Sequence, residues 1–186
     1  MKYSHPFPLK CYRLLSTYVE KYMSTYVNDP IYMVKISLPD RVKNILDSEL
    51  NELGLSKSIG TVAFKRNTSK EFDKLKFTHV DYDTITDKIT DASIIIPISG
   101  CEDTRMFWAT GNYSLIKGYD SQGNSRMDVD WITPGQVVYE EEIIQPTLVR
   151  VNVPHGAYSR QDGTYRLILS IRLERNEEFD RIVEIL

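Results

Sequence analysis

The spacing of hydrophobic positions near the N-terminus predicts two helices. Over residues 9–26 the apolar and aromatic positions recur at helical intervals, so one face of this first helix should be buried. The second helix should begin around residues 37–40, where proline and a carboxylate favour a helix start, and it should stop at Gly54. A short closing helix is predicted by the last apolar positions, which are Phe179, Ile182, Val183 and Leu186.

The middle of the chain, residues 59–174, has a strand-like period instead. About eight runs rich in β-branched and aromatic residues are separated by Gly, Asn, Asp and Pro, which predicts a sandwich or a barrel. The runs are IGTVAFKR, KFTHVDYD, ASIIIPIS, RMFWATGNYSLI, MDVDWI, QVVYEEEII, TLVRVNV and YRLILSIRLE. We therefore predict one domain that is mainly β with flanking helices (α+β). Residues 1–58 should form a helical part packed on a barrel of residues 59–174, and residues 175–186 a C-terminal helix.

Composition narrows the class of partner. The chain has 186 residues, of which 41% are hydrophobic, enough for one core without disulfides. A formal net charge of -3 gives no basic footprint, so nucleic-acid binding is not expected. The two cysteines, Cys11 and Cys101, have no CxxC spacing, which favours a reducing cytoplasm. Without a leader pattern or a long apolar run, we expect no membrane association and a small molecule, peptide or protein as substrate.

Two of the three histidines lie beside predicted strands, together with a suitably spaced carboxylate. His79 and Asp81 are two residues apart in KFTHVDYD, so their side chains should leave the strand on the same side. His155 follows Pro154, which fixes the backbone at a strand end. Two imidazoles and one carboxylate are the ligand set of non-haem Fe(II) oxygenases, so these three residues are candidate ligands of one metal ion. The alternative is a hydrogen-bonded pair of His79 and Asp81, with His155 as a loop histidine.

A polar face runs along the predicted strand YRLILSIRLE. Alternation places Arg166, Ile168, Ser170 and Arg172 on this face. A guanidinium buried among strands is costly unless an anion meets it, so a dicarboxylate that bridges from the metal to Arg166 would satisfy both groups. Ser170 could add a hydroxyl, and Arg172 is the second candidate for the same role. The alternative is an edge strand whose arginines point into water and pair with downstream glutamates.

Together these residues resemble the Fe(II)/2-oxoglutarate-dependent dioxygenase superfamily, whose pattern is His-x-Asp, then a distant His, then an Arg on the following strand. The resemblance covers residues 59–173. It is closest to compact phage-encoded and bacterial members near the aspartyl/asparaginyl β-hydroxylase group. Asp81 departs from that group, in which the carboxylate ligand is typically missing. A phage origin would place the protein in the host cytoplasm.

The resemblance implies a double-stranded β-helix, a jelly-roll or cupin-like barrel, that binds Fe(II) through His79, Asp81 and His155. It implies an oxygenase that uses 2-oxoglutarate as co-substrate and O2 to hydroxylate an amino-acid side chain in a peptide or a small molecule. Arg166 would pair with the distal carboxylate of 2-oxoglutarate, with Ser170 and Arg172 as further co-substrate residues. Two other functions fit the same barrel: a metal-binding cupin-like isomerase or binding protein, and a catalytically silent structural module.

Overall fold

Strands make up most of the fold. The computed structural model describes residues 1–24, 31–55, 60–67, 74–83, 88–119, 125–159, 165–173 and 178–186. In chain order the strands are β1 (Ser4–Pro6), β2 (Ile31–Lys35), β3 (Gly60–Asn67), β4 (His79–Val80), β5 (Tyr82–Asp83), β6 (Lys88–Ile89), β7 (Ala92–Ser99), β8 (Thr104–Thr110), β9 (Tyr113–Tyr119), β10 (Ser125–Trp131), β11 (Gln136–Glu141), β12 (Thr147–Arg150), β13 (His155–Ser159) and β14 (Tyr165–Arg172). The helices are α1 (Tyr12–Met23), α2 (Asp40–Glu52) and α3 (Phe179–Ile185), and a 3-10 turn covers Lys74–Phe77. The prediction of an α+β chain that is mainly β is confirmed.

Two six-stranded antiparallel sheets carry the fold. Sheet A has the order β1-β12-β7-β14-β3-β2, and sheet B has the order β11-β8-β13-β4-β10-β9. β5 and β6 form a separate two-stranded ribbon. From β3 onward the chain crosses repeatedly between the sheets, because β3, β7, β12 and β14 lie in sheet A and β4, β8, β11 and β13 lie in sheet B. The crossings make β4 and β13 neighbours although they are far apart in the sequence.

The outer face of sheet A packs against the helices. β14 contributes Leu167, Leu169 and Ile171 to this core. The helices contribute Leu15, Val19 and Met23 of α1, Leu46 and Leu50 of α2, and Phe179 and Ile182 of α3. Full burial of each such side chain stabilises the fold by about 1.5–3 kcal/mol. No helix of the described chain is long and apolar enough to cross a membrane.

A second core fills the space between the two sheets. Ile168 of β14 packs there with Met106 and Trp108 of β8 and with Ile95 of β7. Because alternate strand residues face opposite sides, the residues that share a face with Ile168 also point inward. These residues are Arg166, Ser170 and Arg172. The predicted polar face of this strand therefore faces the interior, and β14 is a central strand of sheet A rather than an edge strand.

Three details differ from the predictions. Residues 1–58 are not purely helical, because β1 pairs with β12 and β2 pairs with β3 at opposite ends of sheet A. RMFWATGNYSLI is not one strand but forms β8 and β9, since the chain turns at Gly111, whose φ of 156° is one that L side chains rarely adopt. The first helix, α1, is shorter than residues 9–26, of which residues 25–26 lie outside the described part of the chain.

Candidate metal centre

Three side chains converge on the inner face of sheet B. His79 begins β4 and is the direct cross-strand partner of His155, which begins β13. Asp81 lies between β4 and β5, and its amide N–H donates to the Val151 carbonyl oxygen at 3.0 Å. This hydrogen bond ties the chain after β4 to the chain before β13. The local backbone thus places the carboxylate beside both imidazoles.

The distances within the cluster would allow the three side chains to share one ion. One ligand atom each from His79, Asp81 and His155 lies within 4.8 Å of the other two. Nε2 of each histidine is 3.6 Å from Oδ1 of Asp81, and the two ring centroids are 4.5 Å apart. These separations are too long for hydrogen bonds. Ligand atoms about 2 Å from a shared ion lie about 3 Å apart on one face of an octahedron, so small side-chain rotations would bring all three into coordination.

The tautomer of His155 also agrees with metal binding. Its side chain is buried, and Nδ1 is 2.9 Å from the Val153 carbonyl oxygen. A neutral imidazole that donates from Nδ1 keeps a lone pair on Nε2, and this is the atom nearest to Asp81. His79 and Asp81 are half-buried, so the cluster is open on their side and closed on the side of His155.

The donor set fits a divalent transition metal. Neutral imidazoles favour zinc, copper, iron or nickel over magnesium and calcium, which prefer oxygen ligands. Three protein ligands on one face of an octahedron would leave the opposite positions open to other ligands. Trp108 is the other cross-strand partner of His155, and it is fully buried with Nε1 donating to the Arg150 carbonyl oxygen at 2.8 Å. It closes the buried side of the cluster beside His155.

Comparison with known proteins adds no assignment to this geometry. No family model matches the sequence. A search of curated proteins gives no match either.

Arg166 is a half-buried cation that has no anionic partner among the described residues. Its Nε is buried and has no hydrogen-bond partner among the described residues. Burial lowers the pKa of the guanidinium, and the neighbouring Cys101 thiol partly offsets this. Burial in turn raises the pKa of Cys101, which keeps the thiol neutral. A neutral thiol is only a weak acceptor, so no described group balances the charge of Arg166.

The position of Cys101 beside Arg166 was not predicted from the sequence. Gly100, with a φ of 62°, turns the chain after β7 and directs Cys101 into the core between the sheets. Its Sγ lies 3.4 Å from the Leu167 carbonyl oxygen, next to Arg166 in the chain. The Thr104 amide N–H donates to the Cys101 carbonyl oxygen at 3.1 Å and closes the turn. A contact between residues so far apart in sequence leaves no local signal.

The structure separates the two arginines that the sequence offered for one role. Arg166 and Arg172 lie at opposite ends of the inner face of β14, about 20 Å apart at Cα from the rise of a strand. Ser170 is buried between them on the same face. Cross-strand pairing puts Arg172 beside Ser93 of β7, while Arg166 lies beside Cys101. The two guanidiniums therefore occupy different surroundings.

Proposed function

We propose that the protein is an Fe(II)- and 2-oxoglutarate-dependent oxygenase that hydroxylates an amino-acid side chain in a peptide or a small molecule. The observation that carries the proposal is the convergence of His79, Asp81 and His155 within 4.8 Å. This ligand set with open positions is typical of non-haem Fe(II) oxygenases. The guanidinium of Arg166 on the facing sheet has a buried Nε and no anionic partner among the described residues, which supports a dicarboxylate co-substrate.

The strand order supports a double-stranded β-helix. In such a fold eight strands are wound as two Greek keys, so that the chain passes back and forth between two packed sheets. Here β3, β14, β7 and β12 are consecutive in sheet A, and β4, β13, β8 and β11 are consecutive in sheet B. We propose that these eight strands are the barrel, with β9 and β10 extending sheet B beyond the metal ligands.

Each named residue then has a distinct task. His79, Asp81 and His155 would hold the metal, and the Nδ1–H of His155 would stay on the Val153 carbonyl oxygen. Arg166 would bind the distal carboxylate of 2-oxoglutarate through charge-assisted hydrogen bonds. Trp108 would keep water from the buried side of the centre. A bound Fe(II) supplies the oxygen activation, in which oxidative decarboxylation of 2-oxoglutarate is coupled to hydroxylation of the substrate.

Anaerobic titration followed by visible absorption tests the proposal. Fe(II) and 2-oxoglutarate together should produce a metal-to-ligand charge-transfer band that neither produces alone, because the band requires both at one centre. Arg166→Gln should raise the 2-oxoglutarate concentration needed for the band while the metal affinity stays the same. Arg41→Gln, an exposed position on α2, is the matched control.

The alternatives predict other results. Fe(II) binding without a band at any 2-oxoglutarate concentration would favour a cupin-like metal protein that does not use this co-substrate. Absence of Fe(II), Mn(II) and Ni(II) binding would favour a silent structural module. A band whose dependence on 2-oxoglutarate is the same in Arg166→Gln would leave the oxygenase proposal intact and remove Arg166 from the co-substrate site.

A further inference from the structure

A second polar pair faces the space between the sheets at the far end of β14 from Arg166. Ser93 of β7 is 0% exposed, and its Oγ has no hydrogen-bond partner among the described residues. Its cross-strand partner on β14 is Arg172. Both side chains point inward, because their chain neighbours Ala92, Ile94 and Ile171 lie in the helix-covered core. Cross-strand partners are about 5 Å apart at Cα, so the two groups can serve one ligand.

The guanidinium of Arg172 lacks a counter-ion within the described part of the chain. The residue is half-buried, and neither a hydrogen bond nor an ion pair joins it to another described residue. On its other side the cross-strand partner of Arg172 is Gly60 of β3. A partly desolvated charge and a buried hydroxyl both cost free energy unless a ligand satisfies them. An oxyanion would satisfy both.

Backbone hydrogen bonds place this pair near the metal-ligand candidates. The Asp81 amide N–H donates to the Val151 carbonyl oxygen at 3.0 Å, and the Val151 amide N–H donates to the Asp91 carbonyl oxygen at 3.0 Å. Asp91 directly precedes β7, in which Ser93 is the second residue. The end of the inter-sheet space that holds Ser93 and Arg172 is therefore the end at which Asp81 lies.

We propose that Arg172 and Ser93 form a second carboxylate-binding subsite beside the metal centre, separate from Arg166. The guanidinium would meet the carboxylate with paired N–H donors, and the Ser93 hydroxyl would donate to the same group. The carboxylate belongs either to the 2-oxo acid end of the co-substrate or to the substrate that is oxidised. The subsite rests on the proposed function only for the identity of this ligand.

Calorimetric titration of the Mn(II)-loaded protein tests whether the carboxylate belongs to the 2-oxo acid end of the co-substrate. The probes are 2-oxoglutarate and pyruvate, which keeps the 2-oxo acid group but lacks the distal carboxylate. Arg172→Gln should weaken the binding of both by about tenfold to hundredfold, and Ser93→Ala should weaken both by about threefold. Arg166→Gln should weaken 2-oxoglutarate alone, and Arg41→Gln should change neither.

Acetate tests whether the carboxylate belongs to the oxidised substrate. Its proton relaxation is measured with Mn(II)-loaded protein in the presence of excess 2-oxoglutarate. If Arg172→Gln binds both 2-oxo acids normally but loses acetate, the carboxylate of the oxidised substrate occupies the subsite. If the unmodified protein binds neither 2-oxo acid while Arg172→Gln loses acetate, the subsite stands and the proposed function fails. The subsite is overturned if the unmodified protein binds none of the three probes, or if Arg172→Gln and Ser93→Ala bind all three normally.

Thermal unfolding separates ligand binding from a structural role. An arginine without a counter-ion does not stabilise the ligand-free fold, so Arg172→Gln should unfold at the same temperature as the unmodified protein or at a higher one. A lower Tm, together with losses of affinity that follow it, would assign Arg172 to the structure and overturn the subsite.

Discussion

Replacing Asp81 with asparagine removes the charge of one candidate ligand and keeps its shape. A metal ion that binds only the folded chain raises the free energy of unfolding by about 2.7 kcal/mol when its concentration is 100 times Kd. For a chain of this size that corresponds to a rise in Tm of about 5 to 11 °C. If Asp81→Asn lowers the affinity for the metal by a factor of about 100, the same metal concentration raises the free energy of unfolding by only about 0.4 kcal/mol. That corresponds to a rise in Tm of about 1 to 2 °C.

The measurement is thermal unfolding with and without Mn(II), Co(II) or Ni(II) under anaerobic conditions. Asp130→Asn is the control, because Asp130 is an exposed carboxylate on β10 outside the His/Asp cluster. We expect the control to keep the full rise in Tm and Asp81→Asn to lose most of it. If Asp81→Asn kept the full rise, the three side chains would not share an ion, and the geometric reasoning from 3.6 Å separations would be wrong.

Other contacts give further predictions. Cys101→Ala removes the neighbour of Arg166, so calorimetry should show 2-oxoglutarate binding weakened about tenfold and metal affinity unchanged. Cys11→Ala, at the other buried cysteine, is the control and should change neither affinity. Burial and Glu49 raise the pKa of Cys11 from 9.0 to about 12. Because the unfolded chain loses this proton first, the free energy of unfolding should fall as the pH rises through that interval. Iodoacetamide should label Cys11 at pH 9 only in unfolded protein. Trp108→Phe loses the hydrogen bond to the Arg150 carbonyl oxygen and should lower the free energy of unfolding by about 1–3 kcal/mol in urea. An unchanged urea midpoint would contradict that last expectation.

Local periodicity accounts for the parts of the fold that were predicted correctly. Alternation in β14 separated Leu167 and Leu169 from Arg166 and Arg172, and the structure places these two sets on opposite faces. Proline at position 39 and Gly54 bracket α2, whose observed bounds are Asp40–Glu52. Such features depend on neighbours within one turn or one strand, which a sequence displays directly.

The pairing of distant strands could not be predicted from local sequence patterns. The chain that enters α1 first forms β1 on the edge of β12, a pairing between distant segments that no periodicity announces. Pro97 lies in a central strand, where it cannot donate a hydrogen bond, and the register between β7 and β14 shifts beside it at Ile98. The placement of Cys101 against Arg166 follows from this shift and from the turn at Gly100, so it too depends on the assembled sheet.

Buried polar groups without a partner among the described residues link the stability of the folded chain to the concentration of a ligand. Nε of Arg166 and Oγ of Ser93 are both buried without a partner among the described residues. A small acid that satisfies such groups binds only the folded chain, so each increase in its concentration lowers the fraction of molecules open to proteases. The half-life of the protein in a lysate would then depend on the concentration of the acid. It would be longer when the acid is abundant and shorter after dialysis.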